Sequence, residues 1–210
     1  MGEMNRAPAY KILTDRLIVR CYEPRDAHDV HEVVTRNKAH LVPFMGWAVR
    51  EPTTFDERVD LLRSFRGRFD LGDDFFYGIF LRDGSFVGGT GLHPHVGPSG
   101  IEIGYWIDER HQGKGIVTEA AAALAKHALT DLALSRVEIH CDPDNGPSNR
   151  IADKLGFTRE GVLRKRHQYA HDRPLRDLVY WTLFREDMGR ASRVNWARYQ
   201  AYDAIDRPIT

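Results

Sequence analysis

The sequence is short of cysteine, of long apolar runs and of net charge. Only two cysteines occur in 210 residues, Cys21 and Cys141. Both lie in alternating apolar runs, where they read as buried free thiols suited to a reducing cytosol. No apolar stretch approaches the roughly 18 residues of a membrane span. No apolar run behind basic residues marks a secretory leader, so neither export nor membrane spanning is expected and the expected location is cytoplasmic. Thirty basic residues balance thirty acidic ones, which removes the overall electrostatic footprint of a nucleic-acid binder. No internal repeat or low-complexity tract divides the chain. With 42% hydrophobic and 29% charged residues, a single domain over 1–210 has material for one core.

What is there reads as alternating strand and helix signals. From Lys11 to Cys21 an alternation, regular from Leu17 onward, predicts a first strand. Pro24 opens a helix to about Asn37 with a stripe of Ala27, Val30, Val33 and Val34. Thr54 and Glu57 form a capping box for a helix to about Phe69, through Val59, Leu61, Leu62 and Phe65. Between them the segment 41–47 is apolar, aromatic and broken by Pro43 and Gly46. Left in water it would be an exposed apolar patch, so it is expected to cover the core or line a pocket.

Phe75–Leu81 and Phe86–Leu92 flank Asp83-Gly84 and predict a hairpin, which the strand Ile101–Ile107 extends into an antiparallel meander. A helix over 117–130, a strand Arg136–Cys141 and a helix Ser148–Leu155 ended by Gly156 follow. Two last strands, Thr158–Tyr169 and Leu175–Phe184, are joined by 170–174. The polar tail 186–210 carries Trp196, Tyr199 and Tyr202 and reads either as a helix or as a tether to a second subunit. This order is an α+β fold with a mixed sheet, because hairpins surround one right-handed crossover from 101–107 to 136–141.

The most informative stretch runs from Glu102 to Lys126: a strand, a turn holding Gly113 and Gly115, then an amphipathic helix. Unpaired N–H groups and the positive end of the helix converge there on an anion such as phosphate. A nucleotide-triphosphate loop would need Ser or Thr after a Gly-Lys pair, but Lys114 lies between two glycines. A dinucleotide fingerprint would need a small third residue in a first βα turn, whereas Thr118 stands in mid-chain after a meander. A ligand-free glycine turn is the structural alternative.

Arg110-His-Gln-Gly113-Lys-Gly115 fits R/Q-x-x-G-x-G/A and resembles the acetyl-CoA pyrophosphate loop of the GNAT superfamily of N-acetyltransferases. Three further motifs fall in order around it. They are Thr14-Asp-Arg-Leu-Ile-Val-Arg20, Glu102-Ile-Gly-Tyr-Trp-Ile107, and Asn145-Gly-Pro-Ser148-Asn149 leading to Leu155-Gly-Phe157. Together they cover about residues 12–185 and are most similar to the RimJ/RimL-type branch of ribosomal-protein N-acetyltransferases. The resemblance implies a mixed, mostly antiparallel sheet of about seven strands with about four helices, splayed between 101–107 and 136–141. In that gap the backbone of Trp106 and Ile107 would hold pantetheine. Arg110, Gln112, Gly113, Lys114, Gly115, Ile116 and Val117 would hold the pyrophosphate, and Asn145, Ser148 and Asn149 would face the thiol.

The chain departs from the superfamily where many members carry a tyrosine acid, since that position is Ala152. The resemblance instead gives Ser148 a hydrogen bond to the sulfur, while a plain helix cap is the other reading of a Ser there. Two residues are candidates for the base. Glu102, flanked by Ile101 and Ile103, is expected to have a raised pKa. His167 falls where RimL-like proteins place a glutamate, and its bland reading is a surface strand histidine. His93 and His95 flank Pro94 without a recognisable third ligand, so no metal is expected.

The implied reaction is direct transfer from acetyl-CoA to a primary amine, foremost a protein N-terminal α-amine. A small amine such as an aminoglycoside or polyamine, or a non-catalytic CoA-binding regulator, is the alternative. From Ser148 to Arg176 eight Lys or Arg stand against three Asp or Glu. This local excess reads as a solvated face, or as a contact for the 3′-phosphate of CoA or an acidic acceptor, and speaks against a small cationic amine. The 41–47 segment and the 53–69 helix are expected to wall the acceptor side, and the tail suggests a homodimer.

Overall fold

The computed structural model describes residues 7–168, 174–189, 194 and 197–209. The first predicted strand is a hairpin. Lys11–Leu13 (β1) and Leu17–Cys21 (β2) pair antiparallel across Thr14, whose hydroxyl oxygen accepts the Leu17 amide at 3.0 Å. The short polar side chains at 14 and 15 favour such a turn and split the run. Ala27–Arg36 (α1) and a short Lys38–Leu41 (α2) follow, then Phe55–Leu71 (α3). The predicted capping box is formed: Thr54 accepts the Glu57 amide at 3.2 Å and Glu57 accepts the Thr54 amide at 2.7 Å.

Phe75–Leu81 (β3), Phe86–His93 (β4) and Gly100–Ile107 (β5) make the meander. Ile116–Thr130 (α4) crosses over to Arg136–Cys141 (β6), and Gly146–Leu155 (α5) ends at Gly156 with φ +85°. Thr158–His167 (β7) and Arg176–Phe184 (β8) pair antiparallel. Tyr169, the 170–173 part of the predicted link, and Trp196 lie outside the described residues.

The tail differs from both expectations. Gln200–Tyr202 (β9) pairs antiparallel with β1 in its own chain, and Val194 and Ala201 are fully buried. Its alternation is only three residues long, too short to stand out in sequence. The sheet order is β7-β8-β6-β5-β4-β3-β2-β1-β9, so nine strands and five α-helices are described against about seven and about four expected.

Two layers cover the sheet. Ile101 and Ile103 of β5 face α4, whose Ala120, Ala121, Ala123, Ala125 and Ala128 are buried; with methyl side chains the helix axis comes close to the strands. On the other face α1 and α3 pack over Tyr22, Phe80, Phe86 and Trp106. Cys21 and Cys141 are buried free thiols. Among the described residues no helix is long and apolar enough to cross a membrane.

Candidate active site

β5 and β6 run parallel but pair only where Gly100–Glu102 meets Arg136–Glu138. Beyond that point β5 stays on β4 as far as Ile107, and β6 stays on β8 as far as Cys141. Each strand therefore turns one edge of unspent N–H and C=O groups into a widening gap. A ligand that carries amides can lie there as a surrogate strand. Trp106 and Ile107 are the last residues of β5 on this open stretch.

At the wide end the chain turns into α4. Gly113 and Gly115 adopt φ +70° and +76°, a conformation that side chains resist. The first amide of α4 to reach back is Glu119, to Gly115 O at 3.0 Å. The N–H groups of Ile116, Val117 and Thr118 therefore point out of the positive end of the helix. Gln112, Gly113 and Lys114 are exposed beside them. An exposed run with free amides and a helix N-terminus fits a pyrophosphate.

Two clamps hold this turn. On one side Arg16 donates to Lys114 O at 2.9 Å and to Glu119 at 2.6 Å, and Thr14 donates to Glu119 at 2.6 Å. The opening motif thus braces the loop, while its last member, Arg20, makes a bidentate pair with Asp26 instead. On the other side Asp108 accepts from Arg36 at 2.6 Å and Asn37 at 2.9 Å, and Asn37 accepts the Glu109 amide at 2.9 Å. Burial pushes the Asp108 carboxyl up, but Arg36, Asn37 and the Arg110 amide outweigh it and bring it down to about 2. Gln112 meets His40 at 2.7 Å, and Arg110 is exposed. Neither Asp108 nor Arg36 stands out in sequence, because their partners are 72 residues apart.

Beyond the end of β6, Asn145 is the cap of α5 and accepts the Ser148 amide at 3.2 Å. Ser148 is one turn inside the helix, so the cap reading of its hydroxyl is overturned. That hydroxyl is buried and lies 3.0 Å from the Tyr105 hydroxyl. Burial pushes Tyr105 well above its ordinary range and the Cys141 thiol upward, so both are neutral beside Ser148. Tyr105 was hidden in sequence as one strand aromatic among several. Asn149 spends its side chain within the fold, donating to Asp142 O and Asn145 O and accepting from Trp181 at 3.0 Å. Ala152 is fully buried.

The opposite face of β5 and β6 carries charge. At the closed end of the gap an open cleft of about 410 Å³ is lined by His95, Val96, Glu102, Glu138, His140 and Tyr180. Glu102 is 3.3 Å from His140 Nδ1, and Glu138 is 2.7 Å from its Nε2. Burial pushes Glu102 up, but His140, with His93 and His95 behind it, outweighs this and holds the carboxyl below its ordinary value. The expected raised pKa is therefore corrected, since a cross-strand histidine reverses the effect of burial.

The view of the cleft as basic is corrected too. The exposed Arg159, Arg164, Lys165 and Arg166 lie on edge strand β7, and Arg176 is paired with Asp142 and Asp144. His167 sits on β7 opposite Arg176, with β8 and β6 between it and β5. His93 and His95 converge on Asp74, at 2.5 and 3.6 Å. Among the described residues no group of three or more His, Cys, Asp or Glu could hold a metal.

Strand splay, glycine turn and helix N-terminus occur together here in one direction of chain. A family model described as the acetyltransferase (GNAT) domain matches residues 16–158. The chain belongs to the GNAT acetyltransferase family. This GNAT protein is 29% identical over 177 residues to YdaF of Bacillus subtilis, covering 83% of this chain and 94% of that one. It is 27% identical over 171 residues to the ribosomal protein uS5-alanine N-acetyltransferase of Escherichia coli, covering 78% and 86%. RimJ of Mycobacterium smegmatis, solved in complex with CoA-disulfide, superposes with a TM-score of 0.76 at 25% identity over 93% of this chain and 95% of that one. The GNAT chain is accordingly an acyltransferase, an N-acetyltransferase that takes its acyl group from acetyl-CoA.

Proposed function

We propose that this GNAT enzyme acetylates the α-amine of a protein N-terminus by direct transfer. The observation that carries the reading is a strand gap with neutral hydroxyls on one face and carboxylates on the other. Acetyl-CoA, when bound, supplies the activated acyl group. The backbone of Trp106 and Ile107 binds its pantetheine, and the amides of Gly113 to Val117, with Arg110, Gln112 and Lys114, bind its pyrophosphate. The Tyr105 and Ser148 hydroxyls lie 3.0 Å apart and either can donate; with Tyr105 as the donor, the Ser148 hydroxyl hydrogen is free for the sulfur. Glu102 opens on the cleft at the closed end of the gap and receives the amine proton; His167 lies two strands away.

Support for a protein acceptor comes from the relative whose name specifies a ribosomal-protein alanine. It also comes from the shape of the site. The cleft is open, Trp47 of the 41–47 segment meets Trp106 edge-on at 5.8 Å, and β7 presents a basic strand that an acidic protein surface would match. A small cationic amine is the second reading, favoured by Glu102, Glu138 and Tyr180 in the cleft. A thiol-release assay over peptide N-termini, polyamines and aminoglycosides decides between them. Turnover confined to peptides supports the proposal, turnover confined to small amines replaces it, and CoA binding without turnover on any amine leaves a regulator. The tail pairs with β1 of its own chain and so gives no ground for the homodimer, and sedimentation at about the 24.1 kDa of one chain would count against one; a cytoplasmic location completes the reading.

A further inference from the structure

His140 has no part in the reading above, yet both of its ring nitrogens are engaged by carboxylates. Nε2 lies 2.7 Å from Glu138 and Nδ1 3.3 Å from Glu102, and the ring stacks on Tyr180 at a centroid distance of 3.8 Å. These three residues come from the two strands that part at this point and from β8 beside them. His140 is two residues past Glu138, the last residue of β6 paired with β5, at the vertex of the gap. The side chains of His140 and Glu138 are 11% exposed and that of Glu102 is 28% exposed, so Glu102 is the member that opens most to the cleft.

We propose that His140 is the positioning residue of the base: it takes on, through Glu102, the proton that the acceptor amine loses. This rests on the acetyl-transfer reading. With Nε2–H donated to Glu138, the lone pair of Nδ1 faces Glu102. As the nitrogen–carbon bond forms and the carbon–sulfur bond breaks, the amine gives one proton to Glu102, and Glu102 passes it to Nδ1. The sulfur leaves with the bonding pair and takes a proton from the Ser148 side, which solvent restores. The imidazolium so formed lies between two carboxylates, which stabilise it.

The surroundings agree in sign. Burial pulls His140 down, but Glu102 and Glu138 outweigh it and raise it above its ordinary value. Other charged or titratable groups are further off: Arg136 pairs with Glu138 at 2.7 Å, His93 and His95 stand behind Glu102, and Arg166 faces Tyr180. His140 must be neutral before it can accept a proton. Activity therefore rises with pH through a titration above the ordinary histidine value of about 6.5.

Two measurements test this. In the ligand-free protein, nitrogen-detected NMR of the His140 ring should show a titration above about 6.5 with the neutral tautomer protonated at Nε2. A ring that titrates at or below that value, or carries its proton on Nδ1, overturns the proposal whether or not the protein turns over any amine. In the thiol-release assay, His140→Gln should lower kcat about 100-fold and abolish the acid limb, with the affinity for CoA unchanged. Glu138→Gln should move that limb down by about one pH unit, which a purely structural role would not do. An unchanged limb in Glu138→Gln, or a wild-type profile flat from pH 6 to 9, would sink the proposal and leave acetyl transfer standing. No turnover by the wild type on any amine would instead count against the acetyl-transfer reading.

Discussion

At the scale of the residue, the site is made by pairs that burial and distance bring together. Ser148 has lost its capping duty to Asn145 and keeps its hydroxyl beside Tyr105. On the proposed role of Ser148, Ser148→Ala should lower kcat about 10- to 100-fold with little change in CoA affinity, because a hydrogen bond to the sulfur would matter most as charge grows there. Isothermal titration with CoA beside thiol-release kinetics checks both halves. Asp108 has a different task. Its carboxyl, brought down from 3.8 to about 2, contributes about 2 kcal/mol that is present above its ordinary range and lost as pH falls toward 2. Asp108→Asn should remove about that much at pH 7 and flatten the acid side of the stability curve, read by urea titration at several pH values. These pairs were not legible in the sequence. Glu102 and His140 are 38 residues apart, and Tyr105 and Ser148 are 43 residues apart. A strand glutamate between isoleucines suggests a raised pKa until its cross-strand neighbour is known.

At the scale of the element, local signals were legible because their causes are local. The Asp83-Gly84 hairpin, the Thr54–Glu57 box and the stop at Gly156 each sit inside a few residues, and each forms as predicted. The glycine turn before α4 belongs with them. Gly115→Val would place a β-branched side chain at φ +76° with its Cβ 3.5 Å from the Arg16 guanidinium. CoA affinity should fall at least tenfold, about 1.4 kcal/mol, as the free amides lose their aim. An equal affinity in the variant would show that these amides do not bind the cofactor. The clamps were illegible. The opening motif was recognised as a pattern, but only the fold shows Thr14 and Arg16 gripping Glu119 and Lys114 O.

At the scale of the whole molecule, the sheet is longer than expected because each end of the chain adds to it. β9 covers the free edge of β1, Lys126 donates to Ala197 O at 3.0 Å, and Tyr199 reaches Asp131 at 2.6 Å. An uncovered β1 would be an open strand edge. Removing residues 197–210 should lower the melting temperature by on the order of 5 °C and promote precipitation on heating. A truncated chain as stable and soluble as the full one would assign the tail another role. Three residues of alternation amid polar neighbours could not announce this strand, since short edge strands depend on what they pair with more than on their own pattern. The other edge, β7, carries exposed Arg and Lys, charges that discourage strand-to-strand association.

The edge-on contact of Trp47 with Trp106 has a use beyond walling the acceptor side. Trp106 lies on the strand stretch where the cofactor would run, and Trp47, 42% exposed, meets it from a short 3-10 helix over Gly46–Arg50. Indole emission depends on the polarity and mobility around the ring. If the cofactor runs there as proposed, its entry should change the intrinsic fluorescence of the protein, and an emission unchanged on titration with CoA would count against that path.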